Sequence, residues 1–331
     1  MPGPGHRPPA RAVTVALAAT VLVALAAIVL TGLQWDFLTP SDVVSNAGDA
    51  AGAIAYAVLG ALIVLRTGNL VGWLMLAEGA GNAFMAAGSA YAISGLKVHP
   101  GSLPAAAVVG ALAESAFVVV ATGLAAIFLV FPSGRLPSPR WRPAVLGGLV
   151  LIGLGLASFV VSTRQVALPA PGGDALTYPN PLAVSSLEPV TRLSTLNGLG
   201  VLFLLLLLVP ALISLALRYR RGDQRLRQQM KWLGLAFAGV LACQVVAVLG
   251  IAAGQQHTAL VRVPYAITPF LVLLGIPGAM AIAILRYRLF DIDVIISRAL
   301  LVTLLSAGVT AVYAVIVLGI AHSSGTGATC C

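Results

Sequence analysis

Two carboxylates set inside long apolar runs are the residues of this sequence best placed to do chemistry. Glu78 stands in the run 70–93 and Glu114 in the run 105–131, each among Ala, Gly, Val and Leu. An ionised carboxylate in hydrocarbon costs several kcal/mol. Each is therefore protonated, hydrogen-bonded to a neighbour such as Asn82 or Ser115, or retained to contact a stimulus. At 1.5 Å per residue, Glu78 lies about 12 Å and Glu114 about 25 Å from the cytoplasmic ends of their helices, depths that argue against a direct pair.

Asp291 and Asp293 have the spacing of a minimal metal pair, but no further carboxylate or histidine lies nearby to complete an oxygen shell. Their segment instead reads as an interfacial elbow, with Asp capping a helix start while Phe290, Ile292, Val294 and Ile295 dip into the acyl boundary. His6, His99, His257 and His322 fall in tails or outside loops without partners at ligand spacing. Cys243 lies in an apolar run, and Cys330 and Cys331 end the chain, which gives neither a disulfide framework nor a metal site. A C-terminal Cys-Cys can signal prenylation, but this end is expected outside the cytoplasm. No nucleophile stands with a base, and Gly147, Gly148, Gly153 and Gly155 sit within an apolar span, where close helix packing explains them better than a phosphate loop. The chain is expected to be no enzyme and to use no cofactor or metal.

The elements that must hold these side chains follow from composition. Hydrophobic residues make up 59% and charged residues 9% of the 331, with a mean hydropathy of +1.01. Helices of a water-soluble protein need charged faces, and these runs have none. The expected fold is all-α and integral to the membrane: a polytopic bundle of about nine transmembrane helices, with spans near 12–33, 49–65, 70–93, 105–131, 144–162, 195–217, 232–253, 265–285 and 299–320. The third span carries Gly79, Gly81, Gly88 and Ser89, small residues that let helices approach closely in lipid, and should be buried among its neighbours. Residues 1–11 form a short tail and 321–331 a flexible one. The loop 162–194 is rich in Pro and Gly, which disfavour regular secondary structure; it is large enough for a small cap.

Orientation follows from the cations. With the N-terminus cytoplasmic, fifteen of the nineteen Lys and Arg residues fall inside, and only Lys97, Arg164, Arg192 and Arg262 outside. The net charge of +9 is thus dealt out between spans and does not form a nucleic-acid face. Arg135 and Arg140, then Arg218, Tyr219 and Arg220, then Arg286, Tyr287 and Arg288 read as cytoplasmic interfacial anchors, with Tyr at headgroup level and Arg on phosphates. The basic stretch 218–231 either extends the preceding helix or lies along the leaflet.

Four segments occur in order: Asn69 to Leu74 (NLVGWL), Phe131 to Trp141 (FPSGRLPSPRW), Gln228 to Leu233 (QQMKWL) and Leu285 to Asp293 (LRYRLFDID). Together they resemble the N-terminal multi-span membrane region of actinobacterial sensor histidine kinases, across nearly the whole chain. The resemblance implies a sensory, signal-input role in the bacterial plasma membrane, with the bilayer, a second copy or a separate kinase as partners and a small-molecule or membrane stimulus. The kinase core that follows in such proteins has no counterpart here, so the kinase activity is not carried over. The alternatives are a small-molecule or ion transporter, which calls for discontinuous helices and polar groups converging near the midplane, and a standalone structural or interaction protein of the membrane.

Overall fold

Long runs rich in Ala, Leu and Val fold as helices, because in lipid the backbone must satisfy its own hydrogen bonds. The computed structural model describes residues 10–34, 40–162, 165–169, 175–187, 197–222, 224–255 and 258–287. The expected span 299–320, the elbow at Asp291 and Asp293, the anchor Arg288 and the tail 321–331 lie outside the described residues.

In chain order the helices are α1 (Ala10–Gly32), α2 (Pro40–Thr67), α3 (Leu70–Ile93), α4 (Ala106–Val130), α5 (Arg142–Val160), α6 (Asn197–Arg221), α7 (Gln224–Ala252), α8 (Ala259–Phe270) and α9 (Ile276–Tyr287). Among the described residues, six helical stretches are long and apolar enough to cross a membrane, namely Ala10–Gly32, Gly48–Thr67, Leu70–Val98, Ala106–Val130, Pro139–Val160 and Met230–Ile251. A shorter apolar stretch runs Ile267–Ala281. The expected eighth span, 265–285, is interrupted: α8 contains Pro264 and Pro269 and passes through a π-helical turn, Leu271–Gly275, before α9. The basic stretch 218–231 is divided between the end of α6 and the start of α7.

The second span, short on sequence, is the most buried of the long apolar stretches among the described residues. Of the α2 stretch 48–67, 72% is buried, against 22% for α1 and none for the α5 stretch. Small residues make this possible. A Cβ placed on Gly60 would lie 2.5 Å from the backbone N of Leu76, and one on Gly72 would lie 2.7 Å from the carbonyl of Gly60. One on Gly79 would lie 2.6 Å from the carbonyl of Ala53. Backbone thus meets backbone along the α2–α3 seam, the contact that small residues permit in lipid. On the other face of α3, Gly81 meets Val120 and Gly88 meets Ala113 of α4. At the far side of α2, Gly48 and Gly52 admit Phe270 and Leu273 from α8 and its π turn.

The main core gathers Tyr56, Ile63, Met75, Phe128, Phe237 and Ile276, drawn from α2, α3, α4, α7 and α9. Phe128 and Phe237 meet with ring centroids 4.2 Å apart at 45°, a tilted aromatic pair. Expected close packing around the α5 glycines is not found: Gly147, Gly148, Gly153 and Gly155 each face open space within 4 Å. The reason is that α5 packs chiefly on α4 and stands off from the rest of the described bundle.

The outer loop also differs from expectation, since it forms a hairpin. β1 (Gln165–Pro169) and β2 (Ala175–Pro179) pair antiparallel, Val166 opposite Tyr178 and Leu168 opposite Leu176. Val166 and Leu168, two residues apart and so on one face, are buried against Ala92 and Ala111 at the ends of α3 and α4. Tyr178 donates its hydroxyl to the carbonyl of Ala107 at 3.1 Å, and Asn180 donates to the carbonyls of Val160 and Ser162, each at 2.8 Å. The prolines are tolerated because they sit at the strand ends of a two-stranded sheet.

Candidate functional site

Glu78 is carried near the middle of α3, on the side that meets α2 and α4, and its side chain is only 2% exposed. Gly123 of α4 leaves the room it needs, because a Cβ there would lie 2.5 Å from Oε2 of the carboxyl. Asn82, one turn along, donates its amide to the backbone carbonyl of Glu78 at 2.8 Å. The other carboxyl oxygen, Oε1, is buried with no hydrogen-bond partner among the described residues. A buried acceptor without a donor costs about 1–3 kcal/mol. Such a group is where a proton, a hydrogen-bond donor or a cation gains most by arriving.

Tyr56 of α2 lies within electrostatic reach of Glu78 and is wholly buried. Its hydroxyl donates to the carbonyl of Val272 at 2.8 Å, inside the π-helical turn between α8 and α9. A π turn leaves carbonyls out of the regular i to i−4 ladder, so an outside donor is readily accepted there. The phenol on α2 thus bonds to the turn before α9 and feels the charge of the carboxyl on α3. Asp49, half-buried, stands two helical turns from Tyr56 on the same face of α2, toward the other end of the helix.

Glu114 is not brought into this group. The α3–α4 contacts Gly81 with Val120, Gly88 with Ala113 and Gly95 with Ala106 fix an antiparallel register that sets Glu114 level with Ala87. That level is about 14 Å along the axis from Glu78. Ser115 donates to the carbonyl of Ala111 at 2.7 Å, one turn back in its own helix. The separation argued from sequence depth therefore agrees with the packing.

A second polar cluster joins two of the motif segments, 69–74 and 131–141, to the end of α6. Asn69 caps α3, its Oδ1 accepting from Val71 N at 2.9 Å while its Nδ2 donates to the carbonyl of Pro132 at 3.0 Å. Gly134, in the left-handed region at φ 70°, turns the chain directly against Asn69. From α6, Ser214 donates to the carbonyl of Leu129 at 2.8 Å, and Arg218 donates to Ser133 Oγ at 2.8 Å and to the carbonyls of Leu129 and Arg135. The last carbonyls of a helix lack partners and carry its negative dipole end, so a guanidinium fits there. Arg218 thus caps α4 within the protein, where a phosphate contact was expected. Arg135, Arg140, Tyr219 and Arg220 are exposed. Arg286 and Tyr287 close α9.

The sequence reading missed Tyr56 and Gly123 as parts of the Glu78 site. A signal existed only in part: Tyr56 is the one hydroxyl-bearing side chain between Asp49 and Arg66 of α2, in an otherwise apolar run. Asp49 was passed over because it stands at the boundary of the expected span. No protein-family model, curated protein or solved structure matches the chain.

Proposed function

We propose that the chain is a membrane-embedded signal-input module of about nine spans with its N-terminus in the cytoplasm, and that Glu78 is its sensing group. The observation that carries this reading is the buried, unpartnered Oε1 of Glu78 in the same core as the Tyr56 bond to the π turn. A change in the charge of the carboxyl acts electrostatically on Tyr56, and the Tyr56 hydroxyl bonds the turn between α8 and α9. A helix interrupted by Pro264, Pro269 and a π turn is an element able to adopt two packings. A stimulus shifts such an element by its differential affinity for the two states. The affected helix leads into Arg286, Tyr287 and the segment 289–297, the part of the chain with the most specific resemblance to the sensor kinases.

Hydrogen exchange of the full chain in lipid nanodiscs tests this, comparing wild type with Glu78→Gln and Glu78→Met. The reading expects altered exchange across 271–287 in both variants, with α1 unchanged. Unaltered exchange in 271–287 would remove Glu78 from any signalling path.

A transporter is the second reading, favoured by the same interrupted helix beside a buried carboxyl. Purified protein in sealed vesicles separates the two. Solute- or proton-driven currents lost in Glu78→Gln would establish transport, whereas the signal-input reading expects none.

A further inference from the structure

The structure has a groove between α4, α5 and α6, with a volume of about 410 Å³. It lies in the range of small-molecule sites, about 300–1,000 Å³. Its walls are Leu129, Leu149, Ile152 and Ile213 with other apolar residues, and Thr122 is the one uncharged polar side chain among them. The groove exists because α5 stands off from α6 and because Gly148, in its wall, faces open space.

Two features give it a direction. Arg140 and Trp141 line one end, in the short turn that leads into α5. From Trp141 to Ile152 the helix rises about 16 Å. That is close to half of a hydrocarbon core about 30 Å thick. The groove is therefore as deep as one leaflet, apolar along its length, and carries a guanidinium and an indole where headgroups lie. Arg140 is exposed and holds no hydrogen bond among the described residues, and the turn around it, 131–143, contains Arg135 and Arg142 but no acidic residue.

We propose that this groove binds one anionic phospholipid from the leaflet that faces Arg140. Its acyl chain lies between α4, α5 and α6, its phosphate meets Arg140, and Trp141 sits at the glycerol level. The site is separate from Glu78, and its occupancy does not depend on whether the chain signals or transports. By filling the gap, the lipid couples the otherwise loosely packed α5 to α6, and so to the polar cluster around Arg218.

The experiment uses the full chain in phosphatidylcholine vesicles doped with phosphatidylglycerol that carries a photoactivatable acyl chain, followed by mapping of the labelled peptides. Labelling concentrated on 122–129, 145–152 and 210–213 is expected. Gly148→Phe, which fills the groove, abolishes that labelling, while Val150→Phe, on an exposed position of the same helix, leaves it intact. Arg140→Gln lowers the preference for the anionic lipid over a phosphatidylcholine probe about five-fold, the value of one cation at a charged surface. Labelling spread evenly over α1 and α5 and indifferent to Gly148→Phe would overturn the proposal. So would a cross-link showing that the apolar run 299–320 of the chain fills the groove. An Arg140→Gln variant that keeps the full wild-type preference for the anionic probe, or a wild type that shows no preference between the two probes, would overturn the headgroup assignment.

Discussion

The hydroxyl of Tyr56 donates to the carbonyl of Val272 across 2.8 Å, joining two residues 216 positions apart in the chain. This bond ties the most buried helix of the bundle to the π turn that breaks its least regular one. Net, such a bond is worth about 1 kcal/mol. In Tyr56→Phe the apolar ring stays and only the donor goes. Faster exchange is expected at 271–276, together with a stability loss of that order; unchanged exchange in that turn would show that the bond does not hold the break.

Glu78 is expected to weigh against stability. Glu78→Met removes a buried carboxyl with an unpartnered oxygen and keeps an unbranched chain of similar length. It should raise the unfolding midpoint in detergent, by an amount corresponding to about 1–3 kcal/mol. Function should be lost at the same time, the pattern of a site kept at a cost to stability. A lower midpoint for Glu78→Met would mean that the carboxyl serves packing.

The α2–α3 seam should tolerate no enlargement. Gly60→Val places a side chain against the backbone of Leu76 and Gly72. Overpacking of this kind costs about 1–3 kcal/mol. The matching change Gly153→Val on α5, which faces open space, should leave thermal stability unaltered. Equal effects at the two positions would contradict the seam.

Arg218 should not be replaceable by Lys. Its guanidinium reaches Ser133 Oγ and the carbonyls of Leu129 and Arg135 together, and an ammonium cannot span that fan of acceptors. Arg218→Lys is expected to cost about 2 kcal/mol and to expose the turn 131–138 to protease. Arg220→Lys, an exposed change on the same helix, serves as the neutral control.

The outer hairpin is expected to depend on Leu168, which is buried against Ala92 and Ala111. Leu168→Ala should free the hairpin from the bundle, read as proteolysis within 165–179, without altering exchange in α2. Loss of protection in α2 as well would mean that hairpin and bundle unfold together.

Much of this was legible in the sequence because lipid imposes a simple rule: an apolar run of sufficient length must satisfy its backbone by forming a helix. The stretches 10–32, 70–93 and 106–130 follow from that rule almost to the residue. The hairpin was not recognised, because the prolines of 162–194 were read as breakers while the alternation of Val166 and Leu168 before Gly172 and Gly173, and of Leu176 and Tyr178 after them, went unweighed.

Sequence alone determined which runs are long and apolar enough to cross a membrane, and which carboxylates stand inside them, since hydropathy and charge act locally along the chain. Only the tertiary structure decided that, among the described residues, α2 is the most buried of the long apolar stretches and α5 the least, that Arg218 caps α4, and that Glu78 shares its core with Tyr56 and the π turn. The glycines of α3 and α5 look alike in sequence. One set is pressed against backbone and the other faces open space, because close approach depends on which helix happens to be the neighbour, and no local pattern records that.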